Sequence, residues 1–148
     1  MTLRGVTFPN RVVVSPMSQY RSRDGYTNDW HMVHLGRFAM GGAGTVFCEA
    51  TAVEKRGRRT HGDLGIWEDE QIEGLAKITA FLKAEGSIPG IQLAHAGRKA
   101  SERRPWHGET PVDEDDVRER NEAPWEAIGP SALPYADGWP APAEMSLQ

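Results

Sequence analysis

The sequence predicts an α/β fold built on a parallel sheet, and three observations predict it. Short apolar runs without polar alternation recur at residues 12–14, 44–50 and 88–95, as expected of strands buried on both faces. Segments with apolar residues at helical spacing lie between them, at 30–40 and 72–82. The resulting order, strand, helix, strand, helix, strand, argues for βαβ units with right-handed crossovers. In such a sheet, binding and catalytic groups collect at the carboxyl ends of the strands.

The first strand is read from the stretch 11–20, R-V-V-V-S-P-M-S-Q-Y. Three valines favour the strand, and Pro16 ends it because it has no N–H to give the ladder. The polar group that follows, Ser15, Ser18, Gln19 and Tyr20 with Met17 between, would therefore sit at the strand's carboxyl end. The residues before it, 3–9, are punctuated by Gly5 and Pro9 and read as a lead-in segment or a short hairpin plugging one end of a larger structure.

The first helix starts after Asn28 or Asp29, either of which can cap it, and stops at Gly41-Gly42. The second strand is apolar until Glu49. That charge suits either a site or the strand's exit to water. The basic connection K-R-G-R-R-T-H-G-D within 54–65 reads as a solvated loop. Asp69 can cap the second helix, whose first-turn acids Glu70 and Glu73 favour the helix dipole, and Glu85-Gly86 ends it. Gln92 and His95 interrupt the third strand near its carboxyl end.

Residues 98–143 change character. They hold an acidic run at 113–116 and most of the chain's ten prolines, with no sustained period. They read as one long loop excursion, of the kind that serves as a lid. Arg98 and Lys99, just past the third strand, could approach an anionic ligand or pair with the acidic run. Ser146, Leu147 and Gln148 read as the start of a further helix, which suggests a sequence cut short.

Composition excludes several classes. The 148 residues carry a net charge of −4 with no long basic run, which argues against nucleic-acid or anionic-membrane binding. One cysteine, Cys48, allows no internal disulfide. No stretch has the length and apolarity of a signal or a membrane span, so a cytoplasmic setting is expected. His31, His34 and His61 could form a metal site only with carboxylate or thiol partners that the spacing does not supply, and none is expected.

The motifs S-P-M-S-Q-Y (15–20), N-D-W-H (28–31), G-G-A-G (41–44), E-A-T-A-V (49–53), L-G-I-W (64–67) and G-I-Q-L-A-H-A-G-R-K-A-S (90–101) occur in one order over nearly the whole chain. In that combination the sequence resembles the Old Yellow Enzyme family of NADH:flavin oxidoreductases and NADPH dehydrogenases. Within it, it is similar to the YqjM-like and xenobiotic-reductase-like branch. The resemblance implies a TIM (β/α)8 barrel with FMN at the carboxyl ends of its strands. An eight-stranded barrel needs about 250 residues, so only a partial barrel of about three strands is expected, with 1–148 as the amino-terminal part of one domain.

Carried over by resemblance, Ser15, Pro16, Met17 and Ser18 would line the flavin ring. Ala50 would touch it through its backbone, Gln92 would bond its pyrimidine edge, and Tyr20 would face the substrate. The implied activity is ene-reduction: hydride from NAD(P)H passes through FMN to the C=C of an α,β-unsaturated carbonyl compound. The family's substrate-binding His pair, its proton-donating Tyr and its phosphate-binding groups fall on later strands, so no catalytic residue is assigned. Ser18 departs from the Cys usual in this branch. The implied partners are an enone-type substrate, a carboxyl-terminal complement and further copies of the completed chain. The alternative is a non-catalytic module of the same fold that binds no flavin.

Overall fold

The computed structural model describes residues 1–146; the helix start expected at Leu147 and Gln148 lies outside the described residues. The lead-in forms a small antiparallel hairpin, β1 (Thr2–Leu3) with β2 (Val6–Thr7), turning at Arg4 and Gly5 in the left-handed region. Asn10 then fastens the chain, its Nδ2 donating to Gly42 O (2.9 Å) and its Oδ1 accepting the Val12 N–H (2.9 Å).

The first barrel-type strand, β3 (Val13–Val14), is shorter than the valine run suggested, and Val12 and Val13 lie exposed on its outer edge. Helix α1 (Asp29–Met40) begins at an Asn28 cap whose Oδ1 accepts the Trp30 N–H (3.1 Å). The central strand is β4 (Thr45–Ala52). A two-residue strand not foreseen from the sequence, β5 (Leu64–Gly65), follows it. Helix α2 (Ile72–Ala84) is entered through a 3-10 turn, Asp69–Gln71. Its start is held by a capping box between Glu68 and Gln71 rather than by Asp69: the Gln71 carboxamide oxygen accepts the Glu68 N–H (3.4 Å) and, one residue earlier, the Trp67 N–H (2.9 Å). Strand β6 (Ile88–Ala94) completes the sheet.

All pairings in this sheet are parallel. β4 takes β3 along its first half and β5 along its second half, and β6 along its other side. Leu35 and Ala39 of α1, Val46 and Cys48 of β4, Leu64, and Ile78 and Leu82 of α2 form the core between sheet and helices. Each fully buried Leu or Ile contributes about 1.5–3 kcal/mol by leaving water. The helices leave part of their own face uncovered: Ile91, the register partner of Cys48, and Leu93 of β6 are exposed, Leu93 at 62%. Gly90, the register partner of Phe47, leaves room for the Phe47 ring, which a Cβ there would meet at 2.6 Å.

Two expectations are corrected here. The basic connection after β4 is not a solvated loop. Arg58 is 5% exposed, and its guanidinium lies between the rings of Trp67 (5.3 Å) and Trp125 (5.0 Å). Arg59 forms a two-pronged ion pair with the buried Glu102, which holds the guanidinium well above its ordinary range. Secondly, the acidic run does not pair with Arg98 or Lys99. It starts helix α3 (Glu114–Arg120), capped by Asp113, inside the stretch read as a loop. Buried Asp116 binds Arg103 (2.7 Å) and Arg120, while Lys99 rests on the Tyr135 ring at 4.6 Å. After α3 the excursion returns to the sheet's end through a parallel pair, β7 (Ile128–Gly129) with β8 (Ala143–Glu144).

Candidate functional site

The carboxyl ends of β4 and β6 and the turn after β3 border one cleft of about 200 Å³. Its lining includes Ser18, Ala50, Ala52, Ala94, Arg59 and His95. Two register pairs make its apolar part. Ala50 opposes Gln92 and Ala52 opposes Ala94, so all four project to one face of the sheet. Three methyl groups and a carboxamide leave that face low and flat.

Its polar groups are available. Ser18 and Gln92 are exposed, and among the described residues their side chains have no hydrogen-bond partner within the protein. A carboxamide presents both a donor and an acceptor, so it can match an amide-like edge in either sense. Gln92 lies beside the cleft rather than in its lining.

The other residues singled out from the sequence are spread around this point. Ser15 is exposed and Pro16 half-buried on the way out of β3. Met17 is 45% exposed and borders a small neighbouring cleft with Glu49 and His34. Its carbonyl accepts the Gln19 carboxamide N–H (2.8 Å). Tyr20 is held in the left-handed region (φ 55°). Its carbonyl accepts from Arg104 Nε (3.3 Å), its hydroxyl accepts from Arg59 Nη1 (3.4 Å), and the Trp106 ring meets its ring edge-on at 5.8 Å. Burial pushes the Tyr20 phenol up, and the Arg59 charge acts against it. Tyr20 thus stands as a neutral hydroxyl beside the Arg59 cation, which lines the cleft.

The sequence marked His95 and Glu49 without giving their partners. His95 Nε2 lies 3.1 Å from Glu54 Oε2 while its Nδ1 accepts the Gly97 N–H (3.1 Å). Gly57 permits this, since a Cβ there would lie 2.5 Å from the imidazole. The Arg56 side chain, opposed by burial and helped by His95, draws Glu54 below the usual carboxylate range. Glu49 is neither solvent-facing nor at the strand's end: it is 4% exposed, with its oxygens on the Gln19 N–H and on His31 Nε2 (3.2 Å). The only sequence signal for this pair was a charge in an apolar run. His31 is buried on that acid, His34 lies 3.2 Å from Arg37, and His61 donates to Ala123 O (2.9 Å), so the three histidines do not converge.

A sequence profile described as the NADH:flavin oxidoreductase / NADH oxidase family matches residues 1–132. An NADH:flavin oxidoreductase of Gibberella zeae is 53% identical over 106 residues, covering 72% of this chain and 26% of that protein. An NADPH dehydrogenase of Geobacillus thermodenitrificans is 40% identical over 147 residues, covering 98% of this chain and 37% of that protein. Among solved structures, morphinone reductase superposes with a TM-score of 0.71 at 23% identity, over 95% of this chain and 37% of its own. A 2-naphthoyl-CoA reductase does so with a TM-score of 0.76 at 21% identity, over 99% and 22%. The chain spans about a quarter to just over a third of the curated relatives it matches. The architecture is accordingly a part of a TIM-barrel wall.

Proposed function

The chain belongs to the NADH:flavin oxidoreductase / NADH oxidase family, and from that membership we propose that it forms the first part of an FMN-dependent ene-reductase. The observation that carries this reading is the flat face of Ala50, Ala52 and Ala94, flanked by the free Gln92 carboxamide at the strand ends. FMN, when bound, supplies a two-electron relay between a nicotinamide and an unsaturated substrate.

The chain's own residues would bind and orient. Ser15, Pro16, Met17 and Ser18 would line the ring from the end of β3. Ala50 would support it through its backbone, and Gln92 would match its amide-like edge. Tyr20, its hydroxyl fixed by Arg59, would face the substrate. In the overall reaction NAD(P)H loses a hydride, the β-carbon of an α,β-unsaturated carbonyl gains one, and a proton at the α-carbon completes the saturated product. The exposed outer edges of β3 and β6 are suited to further strands, so we assign turnover to this chain together with a carboxyl-terminal complement, in a homo-oligomer. No helix among the described residues is long and apolar enough to cross a membrane, and we take the cytoplasm as the working compartment.

The test mixes the chain, alone and joined to the carboxyl-terminal portion its relatives carry, with FMN, NADPH or NADH, and 2-cyclohexenone under anaerobic conditions. The expected result is nicotinamide-dependent bleaching of protein-bound flavin, reversed by the enone in the joined form. Absence of flavin binding in both forms overturns the proposal and leaves a non-catalytic module of the same fold.

A further inference from the structure

Strand β4 departs from regular pairing at one residue. Cys48 opposes Ile91 and Ala50 opposes Gln92, so Glu49 is the extra residue of a bulge. Bulges re-aim a side chain, and they gather beside functional sites. Here the bulge turns Glu49 into the gap between the start of α1 and the turn that follows β3. The carboxylate is buried there with two partners: one oxygen accepts the Gln19 N–H, and the other lies 3.2 Å from His31 Nε2.

The hydrogen-bond network assigns the imidazole tautomer. His31 Nδ1 lies 3.1 Å from both the N–H and the Oδ1 of Asn28. That Oδ1 already accepts the Trp30 N–H, and the Asn28 N–H has no other acceptor among the described residues. Nδ1 therefore accepts from Asn28, as the third residue of a capping box does, and Nε2–H is left to donate to Glu49. The chain of contacts runs from the cap of α1, through His31 and Glu49, to the backbone of the turn that holds Met17 and Ser18.

We propose that Glu49, oriented by His31, is a positioning residue that fixes the backbone of residues 17–19. Its relevance to a flavin rests on the function proposed above: those residues would line the ring, and the turn's geometry would set how the ring lies. A carboxylate accepting a backbone N–H makes a stronger bond than a neutral acceptor. Removing its charge should free the turn without touching the sheet's core.

The test is hydrogen exchange of backbone amides in the ¹⁵N-labelled chain without flavin. In the wild type the Gln19 amide should be protected although it lies outside any regular element. In Glu49→Gln it should exchange about tenfold faster, the change expected from losing one charge-assisted hydrogen bond, while the Val46 amide keeps its protection. If Glu49→Gln loses Val46 protection as well, a histidine pair decides. His31→Leu should free Gln19, whereas His31→Gln, which can both accept at the cap and donate to Glu49, should keep it protected. Equal Gln19 exchange in wild type and Glu49→Gln, or in the two His31 variants, overturns the inference. Because the measurement contains no FMN, failure of the chain to bind flavin would reject the proposed function and leave this result standing.

Discussion

Ala50 and Gln92 face one another across the parallel pair of β4 and β6, the first aligned residues beyond the bulge at Glu49. One brings a methyl group and the other a free carboxamide to the same face at the strands' carboxyl ends. Without the bulge, the alternation of β4 would turn Ala50 toward the helices and leave Gln92 without this neighbour. The site is thus set by one inserted residue in an otherwise regular ladder.

The face can be filled to test its use. Ala50→Leu places a branched side chain over a cleft of about 200 Å³. It should abolish flavin binding while the far-ultraviolet circular dichroism stays that of the parent. Unchanged flavin affinity in this variant would show that the ring lies elsewhere.

The cross-strand packing of Phe47 on Gly90 is open to a separate perturbation. A Cβ at Gly90 meets the Phe47 ring at 2.6 Å. Gly90→Val should destabilise the chain by about 1–3 kcal/mol, the ordinary cost of overpacking, measured as a lower urea midpoint at constant slope. A midpoint equal to the parent's would mean that Phe47 swings away freely.

Part of this architecture was legible in the sequence. The two helices and the alternation with three parallel strands follow from runs such as the valines at 12–14 and the helical spacing of Leu75, Ile78 and Leu82. What escaped is non-local. Arg58 looked solvated because its neighbours in sequence are charged, but its partners, Trp67 and Trp125, come from distant segments. The run at 113–116 looked like a partner for Arg98 and Lys99. Its four acids instead serve their own helix, with Asp113 as cap and Glu114, Asp115 and Asp116 in the first turn. At the site, strand-end position marked Ser18, Ala50 and Gln92. The role of Glu49 depends on a register shift that no residue pattern announces.

The helix in the excursion carries an acid-sensitive anchor. Burial alone would raise the Asp116 carboxyl, but hydrogen bonds from Arg120, from the Asp113 N–H (3.0 Å) and from Arg103 (2.7 Å) outweigh it and hold the group well below the usual carboxylate range. A folded value below the unfolded one means that the stabilisation is complete above about pH 4 and fades as pH falls further. The excursion should loosen below that pH, seen as faster exchange of the α3 amides. In Asp116→Asn those amides should already exchange fast at neutral pH, with little further acid dependence. Equal acid profiles in the two proteins would contradict this account of α3.

Cys48 should be chemically silent. Burial, with the neighbouring Glu49 charge adding to it, pushes its thiol up to about 12. Native protein at pH 8 should leave Ellman's reagent uncoloured, and unfolding in guanidinium should release one thiol per chain. Rapid labelling of the native chain would show that the core around Val46 and Leu64 opens readily.

Ser18 offers a hydroxyl where the resembling branch has a thiol. If it borders the ring, Ser18→Cys should shift the reduction potential of bound flavin, read by a redox titration of both holoproteins. Identical potentials would place the residue out of hydrogen-bonding reach.

The central claim is that the ends of β3, β4 and β6 form one flavin seat. Its most direct measurement is the quenching of FMN fluorescence by the chain, alone and joined to the carboxyl-terminal portion of its relatives, in wild type, Gln92→Leu and the distant surface variant Lys77→Glu. The account predicts saturable quenching in the wild type, about tenfold weaker binding in Gln92→Leu from the lost carboxamide bonds, and no change in Lys77→Glu. Equal affinity in Gln92→Leu and wild type, or no saturable quenching in either form, would contradict it.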